Sequence, residues 1–144
     1  MNMPLLQKIL ESLIKSPDLQ PITFCNVAVD RACSMMGYHG FHNAYGKALL
    51  ANQMIDKMRS EWAKITPEKA VELANGNEIA IAAWKNEQGA HGHVAIVAPM
   101  DMAKSPSWGK LVPFVGNIGK TNDFVLVSKA FPAEPEYYAQ KETL

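Results

Sequence analysis

Few side chains in this chain can do covalent chemistry at neutral pH. There are two cysteines, Cys25 and Cys33, and four histidines, His39, His42, His91 and His93. A cysteine nucleophile acts as its thiolate and needs a base within reach to take the proton. Cys25 stands in "PITFCNVAVD", shortly after a proline and a threonine, at the start of an apolar run. If that run is a helix, its first-turn N–H groups and macrodipole favour a negative charge on the thiol. The Cys25 N–H is then also free to bind a developing oxyanion. The competing reading is a small hydrophobe in a core, since free cysteine is among the most buried residue types. Cys33 has no polar company and fits that second reading. The two are eight residues apart, about 12 Å along a helix axis. That is too far for a disulfide, so two free thiols are expected.

The base is sought in "GAHGHVAIVAP". In a strand His91 and His93 point to one face, and Val94 and Ile96 to the other. His93 opens the apolar run, so its ring is expected at a sheet edge, on a rigid mount suited to a general base. His91 lies nearer the turn. His39 and His42 fall in "GYHGFHNAYG", a loop by composition, and are expected in solvent. A base also needs a partner that fixes its tautomer. Asn117, in "VPFVGNIG", can supply one from a neighbouring antiparallel strand, although "GN" is also ordinary turn chemistry. The paired histidines invite a metal, but no carboxylate or cysteine stands close by at ligand spacing, so none is expected. There is no P-loop, GxGxxG or GxSxG, and no cofactor is expected.

The elements that must position these residues follow from periodicity. "MPLLQKILESLIK" places Leu5, Leu6, Ile9, Leu10, Leu13 and Ile14 on one broad helical face. A second helix is predicted over residues 24–36, with Thr23 as N-cap and Gly37 as the stop; Cys25, Ala28, Val29, Ala32, Cys33 and Met36 form its packed stripe. A third is predicted over residues 47–58. "TPEKAVELANG" carries Thr66 as N-cap, Pro67 at the first position and Gly76 past the end. After it, "EIAIAAW", "HVAIVAP", "KLVPFVGNI" and "FVLVSKAF" read as short strands between turns. The tail "EPEYYAQKETL" is polar and expected to fray. Helices followed by consecutive antiparallel strands imply an α+β domain in which the Cys25 helix rests on the sheet.

The whole chain, 144 residues with 48% hydrophobic and 19% charged, fits one domain with its own core. Fourteen basic and fourteen acidic residues give zero formal charge, so nothing steers it to nucleic acid or anionic lipid. No stretch is long and apolar enough to span a membrane. The N-terminus lacks the basic start and A-x-A site of a signal peptide, so synthesis in the cytoplasm is expected.

A cysteine opening a helix, a strand beginning with Gly-His and a polar residue on the next strand, in that order, resemble the NlpC/P60 and CHAP cysteine peptidases. These are papain-like peptidoglycan hydrolases and amidases. The matching pieces are "TFCNVAV" around Cys25, "LLANQM" around Asn52, "GHVAIVAP" around His93 and "VPFVGNIG" with Asn117. Together they span roughly residues 21–119. The resemblance implies a single catalytic domain over residues 1–144, with N-terminal helices packed on a small antiparallel sheet. It implies Cys25 as nucleophile, His93 as base and Asn117 as the third polar residue, a position the family fills with His, Asn, Gln or Glu. Asn52 is expected to line the substrate groove, and Gln20 could bind substrate by adding an oxyanion donor, with a solvated loop residue as the other reading. Tyr38, Phe41 and Tyr45 could line the groove, with core packing as the other reading. One departure is "GNEIAIAAW", where many relatives have Gly-Asp before their strand. The implied reaction is cleavage of a peptidoglycan stem or cross-bridge amide through a Cys25 thioester, with the enzyme reaching the wall by a non-classical route. Acyl transfer or deamidation on a non-murein substrate, and a catalytically inactive binding module, remain open beside it.

Overall fold

Apolar residues recur every three to four positions in the N-terminal segment, and they wind into α1 (Leu5–Ile14), burying Leu6, Ile9, Leu10 and Leu13. The buried stripe is narrower than the sequence suggests, because Leu5 is exposed and Ile14 only partly covered. Each of the four buried side chains contributes about 1.5–3 kcal/mol of apolar burial before entropy is charged against it. The helix has no side-chain cap of its own. Instead the Leu6 N–H donates to Asn77 Oδ1 at 3.2 Å, from a residue held at φ 62°. Asparagine is among the few residues that tolerate that left-handed conformation.

The computed structural model describes residues 4–19, 25–89, 91–119 and 121–144. The predicted Thr23 cap, Phe24 and the proposed substrate ligand Gln20 lie outside them. Helix α2 (Cys25–Met35) buries Ala28, Val29, Ala32 and Cys33 of the expected stripe, and Asp30 besides; Cys25 is only partly buried, and Met36 lies past the helix end. Gly37, at φ 95°, ends the helix, and the Tyr38 N–H closes back onto the Cys33 carbonyl. The third helix, α3 (Ala51–Glu61), starts four residues later than predicted. Residues 47–49 are drawn into a hairpin, where Ala48 bridges His42 and the Leu49 N–H donates to the Phe41 carbonyl. Helix α4 (Pro67–Asn75) follows its signals, with Thr66 Oγ1 accepting from the Lys69 N–H.

The strands are β1 (Ala63–Ile65), β2 (Ile81–Trp84), β3 (His93–Val97), β6 (Phe114–Asn117), β7 (Asp123–Leu126) and β8 (Glu136–Ala139). They form a six-stranded sheet in the order β1-β8-β2-β3-β6-β7, every neighbour antiparallel. A separate small hairpin joins β4 (Ala103–Lys104) to β5 (Leu111–Val112). The architecture is α+β, as the sequence implies.

Three details differ from expectation. "KLVPFVGNI" is divided by Pro113 between the hairpin and the sheet. "FVLVSKAF" is strand only to Leu126 and then turns into the short helix α5 (Val127–Ala130). The tail does not fray. Its Tyr137, Tyr138 and Ala139 are buried, and β8 lies inside the sheet between β1 and β2. Polar flanks hid a short apolar run whose pairing is wholly long-range.

Gly116 explains how α1 approaches the sheet. A Cβ there would stand 3.2 Å from a Leu10 methyl. Leu10 and Leu13 of α1 and Ala28 and Val29 of α2 meet Val94, Ile96, Gly116 and Ile118 across a small apolar gap. These two helices therefore cover the Val94–Ile96 face of the sheet. Among the described residues, no helix is long and apolar enough to cross a membrane.

Candidate active site

Alternation along β3 sends His93 to the face opposite Val94. Asn117, adjacent to Gly116 on β6, projects to that same far face. The two side chains meet there, with His93 Nε2 and Asn117 Oδ1 2.7 Å apart. Asn117 is 5% exposed, and its Nδ2 donates to the Thr121 carbonyl at 2.7 Å. That second bond fixes which way the amide faces, because only Nδ2 can donate. Oδ1 must therefore accept from the ring, and Nε2 carries the proton. Nδ1 is left as the basic nitrogen. Phe131 packs on the imidazole with centroids 4.7 Å apart.

Cys25 reaches the same end of the sheet from the other side. It is the first residue of α2 and is partly exposed. Strands β3 and β6 are paired at Ile96–Gly116 and Val97–Val115 but not beyond, toward His93. The Val94 N–H, left out of that ladder, faces the Cys25 sulfur and acts to lower its pKa. Val94 follows His93 directly, so the sulfur lies beside the His93 main chain. No hydrogen bond joins the thiol to the imidazole; the ring is held by Asn117. The structure thus brings His93 and Asn117 into contact and sets Cys25 beside the His93 backbone.

Burial dominates the electrostatics. It pushes the Cys25 thiol up, against the opposing N–H groups of Val94, Asn26 and Cys25 itself. The helix start was expected to lower that pKa, but desolvation outweighs it. Burial also lowers the His93 pKa, with the Asn117 bond acting in the other direction. Both groups are therefore neutral in the resting site at pH 7, as thiol and imidazole. Cys33 is fully buried, and burial drives its pKa far up, as a structural cysteine requires.

Asn52 serves the loop that delivers His93. Its Nδ2 donates to the carbonyls of Asn86 and Gly89 at 3.2 and 3.0 Å, and its Oδ1 accepts from the Asn86 N–H at 3.2 Å. Asn86 Nδ2 in turn holds the His91 carbonyl. Gly92 fits beneath: a Cβ there would lie 2.4 Å from Asn52 Oδ1 and 2.5 Å from the Trp84 carbonyl. Asn52 was expected to line the substrate groove; its amide is instead bonded within the protein.

A second constellation, not expected from the sequence, joins α2 to the segment 38–50. Asp30 is buried on α2 and bonds His42 Nδ1 at 2.7 Å. His42, expected in solvent, is drawn in by that carboxylate. Asn26, the neighbour of Cys25, donates to the Leu49 carbonyl at 3.0 Å. Both bonds tie the segment 38–50 to the helix that carries Cys25. Tyr38 and Phe41 belong to the core, edge-on to each other, with Tyr38 edge-on and Phe41 stacked against Trp62. Tyr45 does not.

No protein-family model and no curated protein matches this chain.

Proposed function

We propose that the chain is a papain-like cysteine hydrolase of the NlpC/P60 or CHAP type, with one catalytic domain, that cleaves an amide bond in a peptidoglycan stem or cross-bridge peptide. The observation that carries this reading is the His93–Asn117 pair. A strand-mounted imidazole has its tautomer fixed by a buried amide, and the N–H of its next residue faces the thiol of a helix-opening cysteine. A nucleophile beside a base, and a base oriented by a third group, is the general logic of thiol acyl transfer. The choice of murein as substrate rests on the resemblance of "TFCNVAV", "GHVAIVAP" and "VPFVGNIG" to that family.

The neutral resting pair sets the course of the reaction. Substrate amide enters at the partly exposed end of α2. Thiol and imidazole share no hydrogen bond at rest, so in this proposal they close up as substrate binds; His93 Nδ1 then takes the thiol proton as sulfur attacks the carbonyl carbon. The tetrahedral oxyanion is met by the Cys25 N–H at the head of the helix. His93 then gives its proton to the leaving amine, leaving a thioester on Cys25. Water attacks that thioester with His93 again as base, releasing the carboxylic acid and the free thiol. Throughout, Asn117 accepts from Nε2–H and steadies the imidazolium as it forms.

The test compares wild type with Cys25→Ala and His93→Ala on purified sacculi, with released fragments identified by mass spectrometry. Cys25-dependent release of peptides with new amine and carboxyl ends is expected. Equal release from wild type and Cys25→Ala would overturn the proposal.

A further inference from the structure

The Thr121 carbonyl gives Asn117 its fixed direction, yet Thr121 itself is exposed, on the turn between β6 and β7. An exposed turn keeps a carbonyl in place only if something ties the turn down. Asn122 does so with both ends of its amide. Its Oδ1 accepts from the Gly119 N–H at 3.0 Å, closing the turn across Thr121. Its Nδ2 donates to the Leu19 carbonyl at 3.0 Å, over a sequence separation of 103. One bond needs an acceptor and the other a donor, so the amide can face only one way. Leu19 is a firm anchor. Its side chain is buried, its N–H donates to the Ser16 carbonyl, and its neighbour Asp18 pairs with Arg31 of α2 at 2.7 Å.

A continuous path thus leads from the core to the base. It runs from the Leu19 carbonyl to Asn122, from Asn122 to the Thr121 carbonyl, on to Asn117 Nδ2, and from Asn117 Oδ1 to His93 Nε2. Its one covalent link is stiff: the Thr121 carbonyl and the Asn122 nitrogen belong to a single planar peptide unit, so they turn together. An asparagine closing a turn is ordinary by itself. The long-range bond to Leu19 and the peptide shared with Thr121 are what tie this one to the imidazole. Without Asn122 the peptide unit is free to rotate, its carbonyl leaves Asn117 Nδ2, and the Asn117 amide can swing off Nε2. Ile118, from the same turn, lines the apolar gap that Cys25 also lines, so the turn stands beside nucleophile and base alike. We infer that Asn122 is a positioning residue of the site: by anchoring the Thr121 carbonyl to Leu19, it holds His93 as the Nε2–H tautomer with Nδ1 free as the base. This deepens the hydrolase reading and rests on it for the reaction that Nδ1 serves.

The experiment follows the His93 ring nitrogens by NMR in the full-length protein at neutral pH, where no substrate is needed. The wild type should show one tautomer, with an Nε2 proton slow to exchange with water. Asn122→Ala should move both ring shifts toward those of a free imidazole in tautomer exchange, and should speed loss of the Nε2 proton about tenfold, the weight of one hydrogen bond. Asn122→Asp keeps the acceptor for the Gly119 N–H but sets a carboxylate oxygen against the Leu19 carbonyl, and should do the same. Because it retains the turn bond, it carries the test even where Asn122→Ala does not fold. Thr66→Ala, which removes the cap of α4, is the control for general loosening and should leave His93 as in the wild type. In sacculus hydrolysis the Asn122 variants should lower kcat and leave KM near wild type. A single-tautomer His93 in the Asn122 variants, or an equal change in Thr66→Ala, would overturn the inference even with Cys25-dependent hydrolysis intact. The tautomer change in a protein whose wild type cleaves nothing would uphold the positioning of His93 and remove the hydrolase reading.

Discussion

Asn117 holds His93 by one end of its amide and the Thr121 carbonyl by the other, and the two bonds together decide the chemistry of the imidazole. A ring free to flip, or to exchange protons between its nitrogens, would present a base only part of the time. With Nε2 committed as donor, Nδ1 is the constant acceptor. Asn117→Ala should therefore cut kcat/KM more than it cuts stability. Loss of a buried hydrogen bond of about 1–3 kcal/mol corresponds to about one to two decades in rate. Steady-state kinetics alongside denaturant unfolding would separate the two. A rate unchanged from wild type would remove Asn117 from the site.

Neutral resting groups give a defined pH profile. Burial lowers the His93 pKa, so the imidazole stays a base below the ordinary histidine value of 6.5, and the acid limb of kcat/KM should fall on that side. The Asn117 bond opposes this lowering, so Asn117→Ala should carry the limb further down. Stability follows in sign. As pH falls below 6.5 the unfolded chain binds the proton that folded His93 resists, so stability is lost through the window between 6.5 and the lowered pKa. Alkylation of Cys25 by iodoacetamide, which reads the thiolate, should be slow at neutral pH and still be rising with pH beyond 9.0, the ordinary thiol value at which a free cysteine's rate levels off. Cys33 should stay unmodified in the native protein. Because attack and proton transfer coincide, acylation should also show a normal solvent isotope effect. Rapid alkylation of Cys25 at pH 6 would show a preformed thiolate and overturn this account.

The close approach of α1 to the sheet gives a stability prediction. At Gly116 any side chain meets Leu10 at 3.2–3.4 Å. Gly116→Ala should cost about 1–3 kcal/mol, the usual range for overpacking. Urea unfolding would measure it, and Leu10→Ala in the same chain should recover part of the loss by making room. A double variant no more stable than additivity allows would show that the helix does not press on this glycine.

The sequence made some of this legible and concealed the rest for physical reasons. Helices α2 and α4 announced themselves because caps, stops and stripes are local signals. His93 and Asn117 were legible because a histidine opening an apolar run and an asparagine closing one are strand-end positions, although only pairing register could bring them within 2.7 Å. β8 was hidden because its partners, β1 and β2, are some fifty residues or more away, and the polar ends of "EPEYYAQKETL" outweighed the core within it. The raised Cys25 pKa was missed for a similar reason. Helix position can be read from a sequence, but the desolvation that overrides it comes from packing against Val94 and the neighbouring strands.

On the hydrolase proposal, Asn52 would act on the chemistry from a distance. It closes the β2–β3 loop at Asn86 and Gly89, and Gly92 fits under it where no Cβ has room. His93 is the next residue, so the loop sets where the imidazole emerges. Asn52→Ala should lower kcat by about tenfold while leaving KM near wild type, since proximity of thiol and base is lost and not substrate contact. Asn52→Asp keeps the acceptor for the Asn86 N–H but sets a carboxylate oxygen against the carbonyls of Asn86 and Gly89, and should be at least as damaging. Gly92→Ala should be worse than either, because the added methyl would meet the Trp84 carbonyl as well as Asn52. If Asn52 instead bound substrate directly, Asn52→Ala would raise KM with kcat unchanged, and that result would return the residue to the groove.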